Sequence, residues 1–443
     1  MRTRLILLAA LLTLSACNPT TVDNTDPWAN GKNPFINGKS DGWDWLNDPE
    51  RFGRFLDEAL EYRLDLLPTR GKTAKKAWPD TYWPTYQDST NVRWLGVDEW
   101  SPMEKYDFVY NGWVPPAGFE TLVPMTPSNC HSQSFDLAYY EALGPAARWQ
   151  SENRGHWRAH DGFDNDGDGS IDECSDWDGI GTWWGLCHAW TPAAMLEEEP
   201  KYPVVVNGVT FYPSDLKALI ITIYDFTRAV VIGGRCRTDQ VERDENGRIL
   251  DPDCRDTNAG TFHIILANFL GRYETAIAED RTYDGQVWNQ PVDSYEVDRV
   301  EEISEGQAIA LLVQDTTGVD KYPFNDQARR WAEVEVRVKY VTESTPSREP
   351  RMPNHDHFLR TDAYHYVLEM DADGRIIGGE WIQGGVNGPT GGFSNQPDFL
   401  WFPMGPRPNP TATTHGMPDP RRNPHLSYTK VSDLFEKSQF PSN

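Results

Sequence analysis

Apolar and polar residues alternate most regularly near residue 335, where Val334, Val336, Val338 and Tyr340 interleave with Glu335, Arg337 and Lys339. A period of two sends one set to a core and the other to water, which predicts a half-buried antiparallel strand over 333–342. Residues 261–270 and 363–370 are dense in β-branched and aromatic side chains and predict two more strands. Asp371-Ala372-Asp373-Gly374 supplies turn residues for a hairpin into 375–381. The earlier half carries helical spacing instead. Phe55, Leu56, Leu60, Leu64 and Leu66 predict an amphipathic helix within 51–67. Residues 134–149 look helical around Gly144-Pro145, and 213–231 predict a helix with Pro213 in its first turn. Pro and Trp break up 68–130, which reads as mostly irregular. Gly, Pro and Asn dominate 384–427, so 384–443 is read as an irregular tail. Helices first and strands later indicate an α+β fold, with one domain over 51–443.

The N-terminus is a targeting signal. Arg2 and Arg4 precede a short apolar run, Leu5 to Leu14, and Leu14-Ser15-Ala16-Cys17 reads as a lipobox. Residues 1–16 are therefore a lipoprotein signal peptide, Cys17 is the lipidated residue, and the polar stretch 17–50 is a flexible tether. The expected location is the cell envelope, with the membrane reached through the N-terminal lipid only. The formal charge of −26 repels phosphate backbones and excludes a nucleic-acid partner.

An exported chain sits where disulfides persist. With Cys17 lipidated, five cysteines remain: Cys130, Cys174, Cys187, Cys236 and Cys254. An odd number leaves one thiol over. The favoured pairs are Cys236–Cys254, which closes a polar loop, and Cys130–Cys174. Cys187 lies in Gly181-Thr182-Trp183-Trp184-Gly185-Leu186-Cys187-His188-Ala189-Trp190. A thiol near a helix N-terminus is acidified by the helix N–H groups, and a preceding glycine lets a carbonyl approach. Pro192 argues for a helix that starts there, capped by Thr191, with Cys187 on the turn before it. A thiol nucleophile needs a base and a group to orient it. His263 is the expected base, ranked above His188, whose side chain faces away from its neighbour Cys187. Asn289, in Val287-Trp288-Asn289-Gln290-Pro291-Val292, is the expected third member, with Asp284 the charged alternative. Trp183 and Trp184 are candidate oxyanion donors.

Asp164, Asp166, Asp168, the Ser170 carbonyl and Asp172, with Gly169 at the sixth position, follow the spacing of a calcium loop within 161–178. The twelfth position is Ser175 rather than Glu, so Asp176 or Asp178 is expected to complete the site. His156 and His160, and His355 and His357, have no matching ligand sets for zinc and are read as surface histidines.

Trp184–Trp190 with Pro192-Ala193-Ala194 resembles the active-site segment of the transglutaminase elicitor family known from oomycetes. Val287–Val292 resembles the core of that family's elicitor peptide, and Asn258–Asn268 its histidine segment. Gly378–Trp381 and Pro397–Trp401 are similar to its C-terminal strand and tail. After Val292, Asp293-Ser294-Tyr295 replaces a more basic stretch. The resemblance implies a fold distantly like papain-type peptidases. It also implies protein-glutamine γ-glutamyltransferase activity stimulated by divalent cations, acting on glutamine and lysine of protein substrates. By the same resemblance Cys187 is the nucleophile and His263 the base, with Asn289 the choice for the third member. The rivals are a papain-like thiol peptidase or glutamine deamidase, and a non-catalytic, calcium-stabilised surface binding protein.

Overall fold

The computed structural model describes residues 20–21, 45–56, 59–159, 162–164, 166–234, 255–281, 286–313, 316–382, 396–405 and 421–441. The expected signal peptide, Cys17, Cys236, Cys254, Asp284 and His160 lie outside them, as do 384–395 and 406–420 of the tail. The described part of the tail is not irregular as expected: Phe399–Pro403 form a strand that buries Phe399, Leu400 and Trp401, and Tyr428–Lys437 a helix that buries Val431, Leu434 and Phe435. No helix among the described residues is long and apolar enough to cross a membrane.

Helices and antiparallel strands are mixed. The sheet is ordered β1 (Thr20–Thr21), β5 (Arg228–Ile232), β11 (Phe399–Pro403), β6 (Ala278–Asp280), β7 (Asn289–Ile303), β8 (Arg330–Val341), β9 (Leu359–Met370) and β10 (Ile376–Trp381). A further strand, β2 (Arg70–Lys72), pairs with β7. All pairings are antiparallel except the two-residue β1 alongside β5. A separate hairpin joins β3 (Val204–Val206) to β4 (Val209–Phe211).

Alternation along the strands separates the two larger of three apolar clusters among the described residues; the third, smaller one gathers α9 (Glu305–Leu312) against Trp331 and Val367. Ala229, Ala278, Phe399 and Trp401 point to one face, where they join a cluster built around α6 (Cys187–Leu196) and α7 (Pro213–Tyr224). Val230, Ile232, Ile277 and Leu400 point to the other face, against α8 (Ala259–Ile265). Neighbouring residues of one strand thus enter different cores.

The strand expected over 261–270 is a helix. Every residue from Ala259 to Leu270 is buried, so the segment has no amphipathic period to mark it. Its start is capped by Asn258, whose side chain accepts from Gly260 N and Thr261 N. It continues as a π-helical turn over Leu266–Arg272. There the Asn268 amide bonds the backbone N–H and carbonyl of Glu61. The amphipathic helix expected at 51–67 shrinks to α1 (Glu50–Gly53), followed by a 3₁₀ turn at Leu64–Leu66. Within 68–130 lies an unforeseen helix, α2 (Pro102–Tyr110), closed by a capping box between Ser101 and Glu104. Residues 134–149 form α3 (Leu137–Ala142) and α4 (Pro145–Arg154), split where Gly144-Pro145 falls. The expected helix at 213–231 ends at Tyr224 and gives way to β5. The hairpin at 371–374 forms as expected, with Asp371 Oδ1 accepting from Asp373 N and Arg375 N.

Helix α8 meets β10 where glycines face each other. A Cβ at Gly260 would lie 2.3 Å from the Gly378 carbonyl oxygen. Gly260→Ala is expected to cost about 3 kcal/mol through this overlap. Gly306, in α9 (Glu305–Leu312), has nothing within 4 Å of such a Cβ. Its alanine variant should gain up to about 1 kcal/mol of helix propensity. Denaturant unfolding of the two variants checks both signs.

Candidate active site

Helix α6 begins at Cys187 itself. Pro192 lies inside the helix rather than at its start, and Thr191 does not cap it. The Thr191 hydroxyl instead donates to the Asn289 carbonyl at 2.8 Å, which pins the helix to the first residue of β7. The turn before the helix is packed closely. Leu186 N donates to Tyr82 O at 2.6 Å, and a Cβ at Gly185 would lie 2.5 Å from that same oxygen. Only glycine fits there. Trp190 Nε1 donates to Trp78 O at 3.1 Å and anchors the first turn from below.

Cys187 is buried and belongs to no disulfide. Its thiol donates toward Val287 O at 3.7 Å, and Asn289 Nδ2 donates toward the sulfur at 3.5 Å. The helix N-terminus and the amide both favour the thiolate. Asp280 pairs with Asn289 across β6 and β7, so the two side chains share the Cys187 face. Asp280 Oδ1 accepts from Trp288 N at 2.9 Å. The Trp288 ring meets Tyr82 edge-on at 5.4 Å, joining the turn before α6 to the start of β7.

His263 is not brought to this site. It lies on α8, beneath the opposite face of the sheet, where its Nδ1 is 2.8 Å from the Tyr366 hydroxyl. Burial there pushes its pKa down to about 4. The expectation that it faces Cys187 fails because the sheet stands between them. His188, adjacent to Cys187, is engaged elsewhere: its Nε2 is 2.8 Å from Asp225 Oδ1, and Arg154 Nε holds the other carboxylate oxygen at 2.7 Å. Burial opposes the ionisation of Asp225, but Arg154 and His188 outweigh it and bring its pKa down to about 2. The Trp183 and Trp184 indole nitrogens converge on the space beside Gly181, 3.1 and 2.9 Å from where a Cβ would stand.

The acidic loop leads into the same segment. Asp164 Oδ1 accepts from Gly167 N and Asp168 N, and its Oδ2 from Gly169 N, with Gly169 at φ +99°. Carboxylate oxygens of Asp164, Asp166 and Asp176 lie within 4.8 Å of one another, and so do those of Asp166, Asp168 and Glu173. Asp176, from α5 (Cys174–Asp178), therefore joins the cluster. The side chain of Asp178 lies outside the described residues. Asp172 instead accepts from Gly162 N at the base of the loop, and Ser170 N donates to Asp168 Oδ1. Hard oxygen donors in this number suit a divalent cation such as calcium. Cys130 and Cys174 form the expected disulfide, tying the loop's exit to the segment before α3. Two histidines expected at the surface are buried: His156 bonds the Tyr140 hydroxyl, and His355 the Ala77 carbonyl.

The sequence pattern of the family described as "Transglutaminase elicitor" matches residues 48–115 and 164–440. The chain belongs to the transglutaminase elicitor family. It is similar to the GP42 transglutaminase from Phytophthora sojae, whose crystal structure it matches with 30% sequence identity and a TM-score of 0.63. The match covers 90% of this chain and 99% of GP42. No curated protein matches the chain. The family match takes in Cys187, Asn289 and Asp280 and leaves out 116–163, so Cys130 lies outside it and its disulfide partner Cys174 inside.

His263 offers a pH test of its placement. Its proton affinity is lower folded than unfolded. The unfolded chain therefore binds more protons between pH about 6.5 and about 4, and stability falls as pH is lowered through that range. The difference in unfolding free energy between wild type and His263→Gln should change by about 3 kcal/mol across that window, at 1.36 kcal/mol per unit. A difference that stays flat would contradict the burial.

Proposed function

We propose that the chain is a transglutaminase that joins protein glutamine to lysine, or to another primary amine, through a thioester on Cys187. The observation that carries this reading is a thiol at the first residue of a buried helix, 3.5 Å from the Asn289 amide, in a member of this family. In the proposed reaction the Cys187 sulfur attacks the carboxamide carbon of glutamine. The C–N bond breaks, the thiol proton leaves on the nitrogen as ammonia, and a thioester remains. An amine then attacks the thioester carbon, the C–S bond breaks, and the amine proton returns to sulfur. Asp280, on the same face as Asn289, carries the proton in each step, a role for which neither His263 nor His188 is positioned. The Cys187 backbone N–H and the indole N–H of Trp184 or Trp183 stabilise the oxyanion. The rings of Tyr82 and Trp288 screen the thioester from water, which favours an amine acceptor over hydrolysis.

Calcium is the proposed ion of the 164–176 loop, held by Asp164, Asp166, Asp168, the Ser170 carbonyl and Asp176. It would order the segment that leads to Trp183 and Cys187. The lipid on Cys17 would hold the enzyme at the cell envelope. Metabolic labelling with palmitate should mark the protein, and Cys17→Ala should abolish the label.

The deciding assay is incorporation of a fluorescent primary amine into a glutamine-rich protein. Cys187→Ala should abolish it. Asp280→Asn should lower kcat by roughly 10²-fold or more, and Trp184→Phe by roughly 10². Chelation of calcium should lower the rate or the melting temperature. Ammonia release without amine incorporation would make the protein a deamidase. A chain inert in both assays, with a thiol unreactive to iodoacetamide, would leave a binding protein.

A further inference from the structure

Strand β7 begins at Asn289, beside the Cys187 sulfur, and runs on to Ile303. The register shifts between Val292 and Ser294. Val292 and Tyr295 both enter the α8 cluster, so Ser294 and Glu296 take over the face that Asn289 held. On β8, Lys339 and Arg337 lie opposite Ser294 and Glu296. On β2, Lys72 and Arg70 lie opposite the same two residues. Val341, two residues beyond Lys339, enters the Cys187 cluster, which puts Lys339 and Arg337 on that face of β8, and the cross-strand pairings carry the assignment to Ser294, Glu296, Lys72 and Arg70.

These strands, with Leu270 and Gly271 from the end of the π-helical turn and Glu274 beyond it, line a pocket of about 470 Å³ to which Arg70, Lys72, Arg337 and Lys339 contribute. Arg337 is committed to Asp298 and Glu296, at 2.5 and 3.2 Å. Arg70, Lys72 and Lys339 are exposed, and no carboxylate among the described residues lies within ion-pair distance of them. Carboxylates outnumber cations 67 to 41 in this chain, so three neighbouring unpaired cations are not what composition alone would produce. Solvated surface lysines are the ordinary alternative. Against it, the three converge from the two strands that flank β7 onto one concavity, on the face that carries Cys187.

We infer that this pocket docks an acidic segment of the glutamine-donor protein, with its carboxylates on Arg70, Lys72 and Lys339. The inference rests on the transglutaminase reading. Ser294 follows Asn289 by five residues on one strand, which puts the pocket about 17 Å from the nucleophile. A donor lying extended along this face has its carboxylates about five residues from the reactive glutamine. The net charge of −26 disfavours acidic proteins overall, so this concavity selects donors by the position of their negative charge.

The test uses two extended glutamine peptides, one with three glutamates five residues from the glutamine and one with three serines there. Fluorescence anisotropy on the Cys187→Ala protein reads binding without turnover. The acidic peptide should bind at least tenfold more tightly than the serine peptide, and added salt should erase the difference. The triple variant Arg70→Gln, Lys72→Gln, Lys339→Gln, at unchanged melting temperature, should bind both peptides alike. In amine incorporation with Cys187 present, the triple variant should raise KM for the acidic peptide about tenfold. It should leave its kcat, and the rate on a benzyloxycarbonyl-Gln-Gly donor, unchanged. Equal binding of the two peptides by the parent protein, or an unaltered KM in the triple variant, overturns the docking site while leaving the transferase intact. Selective binding that the triple variant loses, with no turnover of any donor, supports the docking site and overturns the transferase instead.

Discussion

The junction between the start of helix α6 and the start of strand β7 is the contact on which the site depends. Three interactions between two short segments about 100 positions apart hold it: the Thr191 hydroxyl on the Asn289 carbonyl, the Asn289 amide on the Cys187 sulfur, and the Cys187 thiol on the Val287 carbonyl. A buried thiol among apolar side chains ordinarily stays protonated and inert. Here the helix N-terminus and an amide hydrogen face it instead. The closeness of Gly185 to Tyr82 O leaves the turn no room to shift, so the sulfur position is set by backbone packing rather than by its own rotamer.

Around this junction the protein buries charge as well as apolar surface. Arg93 forms a forked contact with Glu104, Lys105 pairs with Asp215 at 2.6 Å, and Lys217 pairs with Glu199 at 2.6 Å. Each pair joins segments distant in sequence or packs beneath the helical layer. Isolated charges at these depths would be costly, and pairing is what permits them. The His188–Asp225–Arg154 chain belongs to this group. It ties the first turn of α6 to the end of α7 and to α4, and so supports the helix that presents Cys187.

The sheet does two jobs at once. Its alternation feeds the two larger cores, and it separates the Cys187 side from the His263 side. A histidine in an apolar segment and a free-standing cysteine are a sensible pair of residue types for a thiol enzyme. Residue type carries no information about which face of a sheet each reaches. The same alternation, shifted by one bulge in β7, brings Lys72 and Lys339 opposite one β7 residue, Ser294, although they are 267 positions apart.

Local chemistry was legible along the chain. The strand at 333–342, the hairpin at 371–374, the Asp-rich loop with Gly169 at its turn, and the glycine before the Cys187 helix all follow from interactions within a few residues. The resemblance at Trp184–Trp190 and Val287–Val292 points to the family whose pattern matches residues 48–115 and 164–440. The helix at 259–265 was hidden, because a segment buried on every side has neither a period of 3.6 nor one of two. Asp280 was hidden for another reason: within Ala278-Glu279-Asp280-Arg281 it reads as ordinary surface acid, and only its register opposite Asn289 turns it toward the thiol. The sequence by itself determined which residues have the chemistry to react, bind a cation or cap an element, because those properties belong to single side chains and their near neighbours. The tertiary structure alone decided which of them meet, because strand register and sheet face depend on pairings between residues far apart in the chain.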